Sequence, residues 1–313
     1  FGLKPLVYAD YAASGRGDQR IEDQLLALQP LYANPHSDDS ATGREATAWL
    51  HRAEALLKTA INAGDDDVVI ACGSGATGAI ERLQQILGVT EAPASKALRQ
   101  ANLIEILGQA EADRIQAALL ARAPVVFVGP YEHHSNELTW REAQVEIVRI
   151  GLDAEGGVDF DHLARALNPA EGTDAAPDAV YFSPHKLIGG PGACGVLAFK
   201  AALYRSDLPP TLPGGGTVTY VTPDSHDFIT DIAARERAGT PGVMQMMRAA
   251  LSLTALGAVG YERIEHREQD ALKRAFDAWT AHPAIDILGS HDPDRRIGIV
   301  SFNIRSGDGE MLH

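Results

Sequence analysis

The chain has 313 residues, room for one large domain and a smaller one. Its 45% hydrophobic and 22% charged residues are the balance of an ordinary globular protein, and two cysteines are too few for a disulfide framework. With 27 basic against 42 acidic residues the net charge is −15, a field that repels nucleic acid and anionic membranes and argues against both as partners.

Asp65-Asp66-Asp67 reads as a turn into a buried strand, Val68–Ala71. The chain then passes through Cys72-Gly73-Ser74-Gly75 into a helix, where Ile80, Leu83, Ile86 and Leu87 fall at helical spacing. Strand, glycine turn and helix point free backbone N–H groups and the positive helix end at an anion, and the Thr77 hydroxyl adds a donor. Residues 89–122 look helical, Pro124–Val128 and Val145–Ile150 read as strands, and Phe160–Leu167 as a short helix. This alternation predicts an α/β domain with a largely parallel central sheet. From Val243 to Trp279 the pattern is helical with a break near Gly257–Gly260, and a strand at Ile299–Ile304 follows. The predicted division is a large domain over 1–243 and the start of a smaller α+β domain over 244–313, with the N-terminal stretch packed on the small domain.

Ser183-Pro184-His185-Lys186 lies between two β-prone runs, Ala179–Phe182 and Gly195–Phe199. A lysine on such a glycine-rich loop presents its amine at the mouth of a sheet, beside a hydroxyl and an imidazole. That setting suits a lysine that forms a Schiff base with a phosphate-bearing carbonyl compound; the alternative is an ordinary solvated lysine. Tyr131-Glu132-His133-His134-Ser135-Asn136 follows the strand ending at Val128, where α/β sheets bind ligands. His133 could stack on an aromatic ring or act as an acid or base. A metal site at His133, His134 and Glu132 is the weaker reading, since neighbouring residues on an extended chain point to opposite sides. Pro213–Thr217 is a flexible loop ending in a hydroxyl, and Glu236–Gly242 is a turn ahead of a long helix, with Thr240 and Pro241 also suited simply to helix entry.

Taken together, Tyr8–Ser14, Asn34–Ser37, Gly73–Ile80, Glu132–Asn136, Ser183–Lys186, Gly214–Thr217 and Ala238–Pro241 resemble, in order, the motifs of the class V aminotransferases. That group includes the cysteine desulfurases, selenocysteine lyases and isopenicillin-N-epimerase-like proteins. The resemblance implies the aspartate-aminotransferase fold (fold type I) and pyridoxal 5′-phosphate as cofactor. It implies that Lys186 forms the internal aldimine, that Ser183 and His185, with Gly75, Ala76 and Thr77, bind the cofactor phosphate, and that His133 stacks on the ring. It further implies a homodimer in which Thr217 reaches the neighbouring subunit's phosphate, and a small amino acid as substrate. The expected compartment is the cytoplasm.

Two departures accompany this resemblance. The family's aspartate that pairs with the ring nitrogen has no counterpart, because Leu163–Leu167 runs directly into Asn168-Pro169-Ala170-Glu171-Gly172 and the lysine strand. A strand–helix–strand unit is expected to be missing at that join. The C-terminal region with the family's substrate-carboxylate arginine and the desulfurase cysteine is absent as well, and both ends of the sequence read as cuts. Neither Cys72 nor Cys194 matches the desulfurase cysteine. Transamination, desulfuration and epimerisation all remain open, and the rival reading is a catalytically impaired relative that acts as a binding or scaffold protein.

Overall fold

The computed structural model describes residues 3–37, 39–167 and 177–312. Its helices are α1 (Gln19–Leu28), α2 (Ala41–Ala60), α3 (Gly75–Leu87), α4 (Pro93–Leu107), α5 (Gln109–Leu120), α6 (Leu138–Glu142), α7 (Phe160–Ala166), α8 (Ile232–Arg235), α9 (Val243–Val259) and α10 (Tyr261–Trp279). Its strands are β1 (Asp67–Cys72), β2 (Val125–Val128), β3 (Glu146–Arg149), β4 (Ala179–Phe182), β5 (Gly195–Lys200), β6 (Val218–Val221), β7 (His226–Phe228), β8 (Ile285–Ile287), β9 (Phe302–Arg305) and β10 (Met311–Leu312). Among the described residues, two compact units divide the chain, the first from 3–125, 133–146 and 177–256, the second from 126–132, 147–167 and 257–312.

The first unit is built on a three-stranded sheet of order β1-β5-β4. Successive side chains on these strands point to opposite faces, and both faces are covered. On one, Val69, Val196 and Ala198 pack against Trp49, Leu50, Ala53 and Leu57 of α2 and Val243, Met246, Ala249 and Leu253 of α9. On the other, Ile70, Cys72, Leu197 and Phe199 pack against Ala79, Leu83 and Ile86 of α3. Burial on both sides explains why β5 reads as a continuous apolar run. Most of α9, expected to open the second domain, therefore contributes to the core of the first unit.

Strand direction differs from the expectation of a largely parallel sheet. β5 is antiparallel to both neighbours, with Cys72 opposite Gly195 on one side and Phe182 opposite Val196 on the other. β1 and β4 thus run the same way, with β5 reversed between them. The parallel pairing appears instead in β2 and β3, where Glu146 N donates to Pro124 O and Ile150 N to Val128 O, stepping both strands in one direction. The N-terminal stretch meets the first unit at Gly15, whose N donates to His185 O at 2.9 Å.

The second unit has its own sheet, β10-β9-β8, antiparallel throughout. Leu272 and Phe276 of α10 cover it together with Ile287. In the same unit Arg295 bridges Asp153 at 2.5 Å and Glu155 at 3.4 Å. The helical region of 89–122 divides into α4 and α5 at Gly108, whose φ of 81° only glycine adopts readily. The break between α9 and α10 falls at Gly260 for the same reason, with φ 91°. Among the described residues no single helix is long and apolar enough to cross a membrane.

Candidate active site

The antiparallel register brings three chain ends together. Cys72 closes β1 opposite Gly195, where β5 begins, and Phe182 closes β4 one residue further along β5. The glycine turn into α3 and the Ser183–Lys186 turn therefore emerge side by side at the carboxyl ends of β1 and β4. The fit is close, since a Cβ on Gly195 would sit 2.0 Å from the Gly75 carbonyl oxygen.

At the start of α3 the N-cap Ser74 makes no side-chain cap, so the first amides of the helix are left for other acceptors. Ala76 N donates to Ser183 Oγ at 2.7 Å. Gly75 has φ 58°, and a Cβ there would lie 2.7 Å from Ser183 Oγ and 3.3 Å from the His185 ring. Glycine is required twice over at this position, by conformation and by space. The Thr77 hydroxyl donates to Ser135 Oγ at 2.7 Å, tying the helix start to the turn that carries His133. His133 is exposed, and its Nδ1 accepts from Ser135 N at 3.1 Å, which leaves Nε2 as the protonated nitrogen of the neutral ring. Asn136 Oδ1 accepts from the Tyr181 hydroxyl of β4 at 2.7 Å and from Trp140 Nε1 at 3.1 Å.

The charge state of this cluster follows from its surroundings. Burial, helped by the adjacent Lys186 ammonium, holds the His185 imidazole below its ordinary range, so the ring is neutral at pH 7. Lys186 itself is exposed, directly after that ring. Burial pushes the Cys72 thiol up to about 12 and that of Cys194 to about 11. Both remain thiols near neutral pH and are poor nucleophiles.

One expectation is overturned by burial. Thr217 is fully buried, and its hydroxyl turns inward, donating to Gly214 O at 2.7 Å and accepting from Gly214 N at 3.2 Å. It closes its own turn and presents nothing to a neighbour. Thr240, read as compatible with a helix cap, is the exposed hydroxyl of this region. Asn34 Nδ2 reaches it at 3.5 Å, and His36 Nε2 lies 3.2 Å from Gly239 O.

Glu236 carries no obvious signal in the sequence. Its side chain is fully buried and accepts from Tyr204 Oη at 2.6 Å, Thr211 N at 3.0 Å and Arg82 Nη1 at 3.0 Å, with the Thr211 hydroxyl as a fourth donor. It links α3 to the segment before the Gly214–Thr217 turn. The only hint was a Glu-Arg pair just ahead of Ala238-Gly239-Thr240-Pro241.

Comparison with known proteins agrees with this geometry. An apo cysteine desulfurase from Thermococcus onnurineus NA1 superposes with a TM-score of 0.70 at 18% identity, covering 95% of this chain and 78% of that one. In sequence, a cysteine desulfurase of Pectobacterium carotovorum is 25% identical over 352 residues, covering 96% of this chain and 78% of the relative. A probable cysteine desulfurase of Mycobacterium leprae is 29% identical over 215 residues, covering 66% of this chain and 47% of the relative. The model of the family described as aminotransferase class-V matches residues 169–313. The fold is that of the fold-type-I pyridoxal-phosphate enzymes. Within that class, the chain is similar to the class V aminotransferases and cysteine desulfurases, a group of transferases and lyases that use pyridoxal 5′-phosphate.

The donor set fits that cofactor. A phosphate group needs several fixed N–H and O–H donors, and the uncapped α3 start, Ser183 and Thr77 supply them around a glycine that leaves the space open. The carbonyl end needs a nearby primary amine, and Lys186 is three residues from Ser183.

Proposed function

We propose that the protein acts on a small amino acid, as an aminotransferase or a desulfurase-like lyase, with Lys186 as the cofactor-holding lysine. The observation that carries this reading is the Ala76 N–Ser183 Oγ bond with His185 beside it. Through it, the phosphate-binding start of α3 and the turn bearing Lys186 form one site. Gly75, Ala76, Thr77, Ser183 and His185 would bind the phosphate, and exposed His133 would lie against the ring. Bound there, pyridoxal phosphate supplies an electron sink for charge developing at the substrate Cα.

Lys186 Nζ, when free, is the group in this site suited to carry a proton to and from that carbon. A neutral His185 adds a hydrogen-bonding ring beside it without a second positive charge. We further propose a homodimer in which Thr240, exposed at the Gly239 turn, reaches the neighbouring site. Cysteine stands among the candidate substrates because the relatives bear that activity in their names. The raised pKa values of Cys72 and Cys194 argue against either as the sulfur-accepting nucleophile.

The test is a titration of the cofactor-loaded protein with cysteine, alanine and serine, followed by visible absorption. The expected result is a band that shifts with at least one amino acid and is absent in Lys186→Ala. A wild-type protein that takes up no cofactor contradicts the reading.

A further inference from the structure

The Lys186 turn is held from outside by contacts that the cofactor cradle does not use. Ser14 Oγ donates to His185 O at 3.3 Å, beside the Gly15 N bond to the same carbonyl, and Gly189 N donates to Arg16 O at 2.7 Å. A Cβ on Gly15 would lie 2.0 Å from Leu187 O and 2.9 Å from Lys186 O, so the N-terminal stretch rests directly on the lysine's backbone. Beyond it Asp18 caps α1, and buried Ile21 packs so tightly on Gly189 that a Cβ there would come within 2.3 Å of Ile21 Cδ1.

Arg248 of α9 fastens this arrangement. Its Nη2 donates to Glu22 Oε2 at 2.8 Å, its Nη1 reaches Glu22 Oε1, and the same Nη1 lies 3.4 Å from Gly189 O. The guanidinium also sits over Gly192, where a Cβ would come within 3.6 Å of Nε. The segment it touches is loose by composition, with Gly189 and Gly192 at φ 76° and 89° and Gly190 between them. A forked guanidinium–carboxylate pair fixes direction as well as distance, and here it spans α1, α9 and the glycine turn.

We propose that Arg248 and Glu22 are positioning residues for Lys186: by clamping α1 onto the Gly189–Gly192 turn, they fix the backbone from which Lys186 meets the cofactor. This rests on the reading of Lys186 as the cofactor-holding lysine. A lysine on an unclamped glycine turn samples many orientations, and only a fraction of them bring the amine to the carbonyl.

The experiment uses apo-protein of the full chain: wild type, Arg248→Met, Glu22→Gln and the double variant. Thermal unfolding establishes which variants fold, and the growth of the visible band on adding pyridoxal phosphate gives the loading rate. In folded single variants, loading slows about tenfold, the band of the loaded protein shifts, and the double variant is no slower than the slower single one. If Arg248→Met does not fold, Glu22→Gln carries the test with the same expectation. Wild-type loading rate and band position in a folded variant, with only a lowered melting temperature, overturn the proposal and leave the pair a structural brace. Slowing that multiplies in the double variant overturns it too. Peptide mapping of wild-type protein after borohydride reduction separates the two readings, because modification at another lysine contradicts the role of Lys186 itself.

Discussion

Gly75 is where the cradle is tightest. Its left-handed backbone and the 2.7 Å approach to Ser183 Oγ predict that Gly75→Ala both strains the turn and fills the anion space. A stability loss of about 1–2 kcal/mol in urea unfolding is expected from the backbone alone, and cofactor affinity should fall well beyond it, measured by absorption titration of the folded variant. His185 gives a pH signature. Its folded pKa lies below the ordinary imidazole value of 6.5, so its contribution to stability is complete above about pH 6.5 and is lost as pH falls through the lower, folded value. Apo-protein melting temperature should therefore drop on acidification from pH 7, and His185→Asn should flatten that part of the profile. The lysine turn and the α3 start were legible at this scale because glycine and hydroxyl residues cluster there for a chemical reason. Thr217 was misread because sequence cannot say which way a hydroxyl turns, whereas burial and two bonds to Gly214 settle it. The role of Glu236 is not legible beyond its place in the Glu236–Gly242 turn, because all its donors are distant in sequence.

The elements that carry the site depend on β5. Phe199 is fully buried at the far end of this strand, among Ile70, Leu83 and Ile86. Truncation to alanine leaves a cavity between sheet and α3, and a cost of about 3–5 kcal/mol is expected in denaturant unfolding. Gly195→Ala should act differently. Its Cβ would meet the Gly75 carbonyl at 2.0 Å, and backbone cannot yield as a side chain does, so α3 must shift off the strand. Cofactor binding should then fail at denaturant concentrations where the fold persists. The existence of β1, β4, β5 and α3 was plain from their apolar patterns. Their direction was not, because a strand buried on both faces reads the same forwards and backwards.

At the level of the molecule, two expectations concern chain that the described residues do not contain. Among those residues β4 pairs only with β5, and β2 and β3 pair only with each other. The Pectobacterium alignment, at 352 residues, is longer than this chain, and the family match begins at residue 169, beside the Leu167–Asn168 join. We propose that the working protein carries a further strand-bearing segment there, with a carboxylate for the ring nitrogen. Asp178 does not substitute for it, being exposed at the opposite end of β4 from the lysine turn. An intact mass well above 33.4 kDa is expected, and a match to 33.4 kDa contradicts it. The join itself lies outside the described residues. Light scattering should report a dimer, and Thr240→Ala should weaken cofactor binding more than Thr217→Ser, which keeps the inward hydroxyl. A division into two units was legible in the sequence but their interleaving was not, since residues 126–132 and 147–167 belong to the second unit although they lie within the first in chain order.

The central claim is that one lysine, presented beside the α3 anion cradle, holds the cofactor. Borohydride reduction of the protein loaded with pyridoxal phosphate, followed by peptide mass mapping, tests it directly. The account predicts a phosphopyridoxyl group on the peptide that contains Lys186 and on no other. A modified lysine elsewhere, or a wild-type protein that remains unmodified, would contradict it.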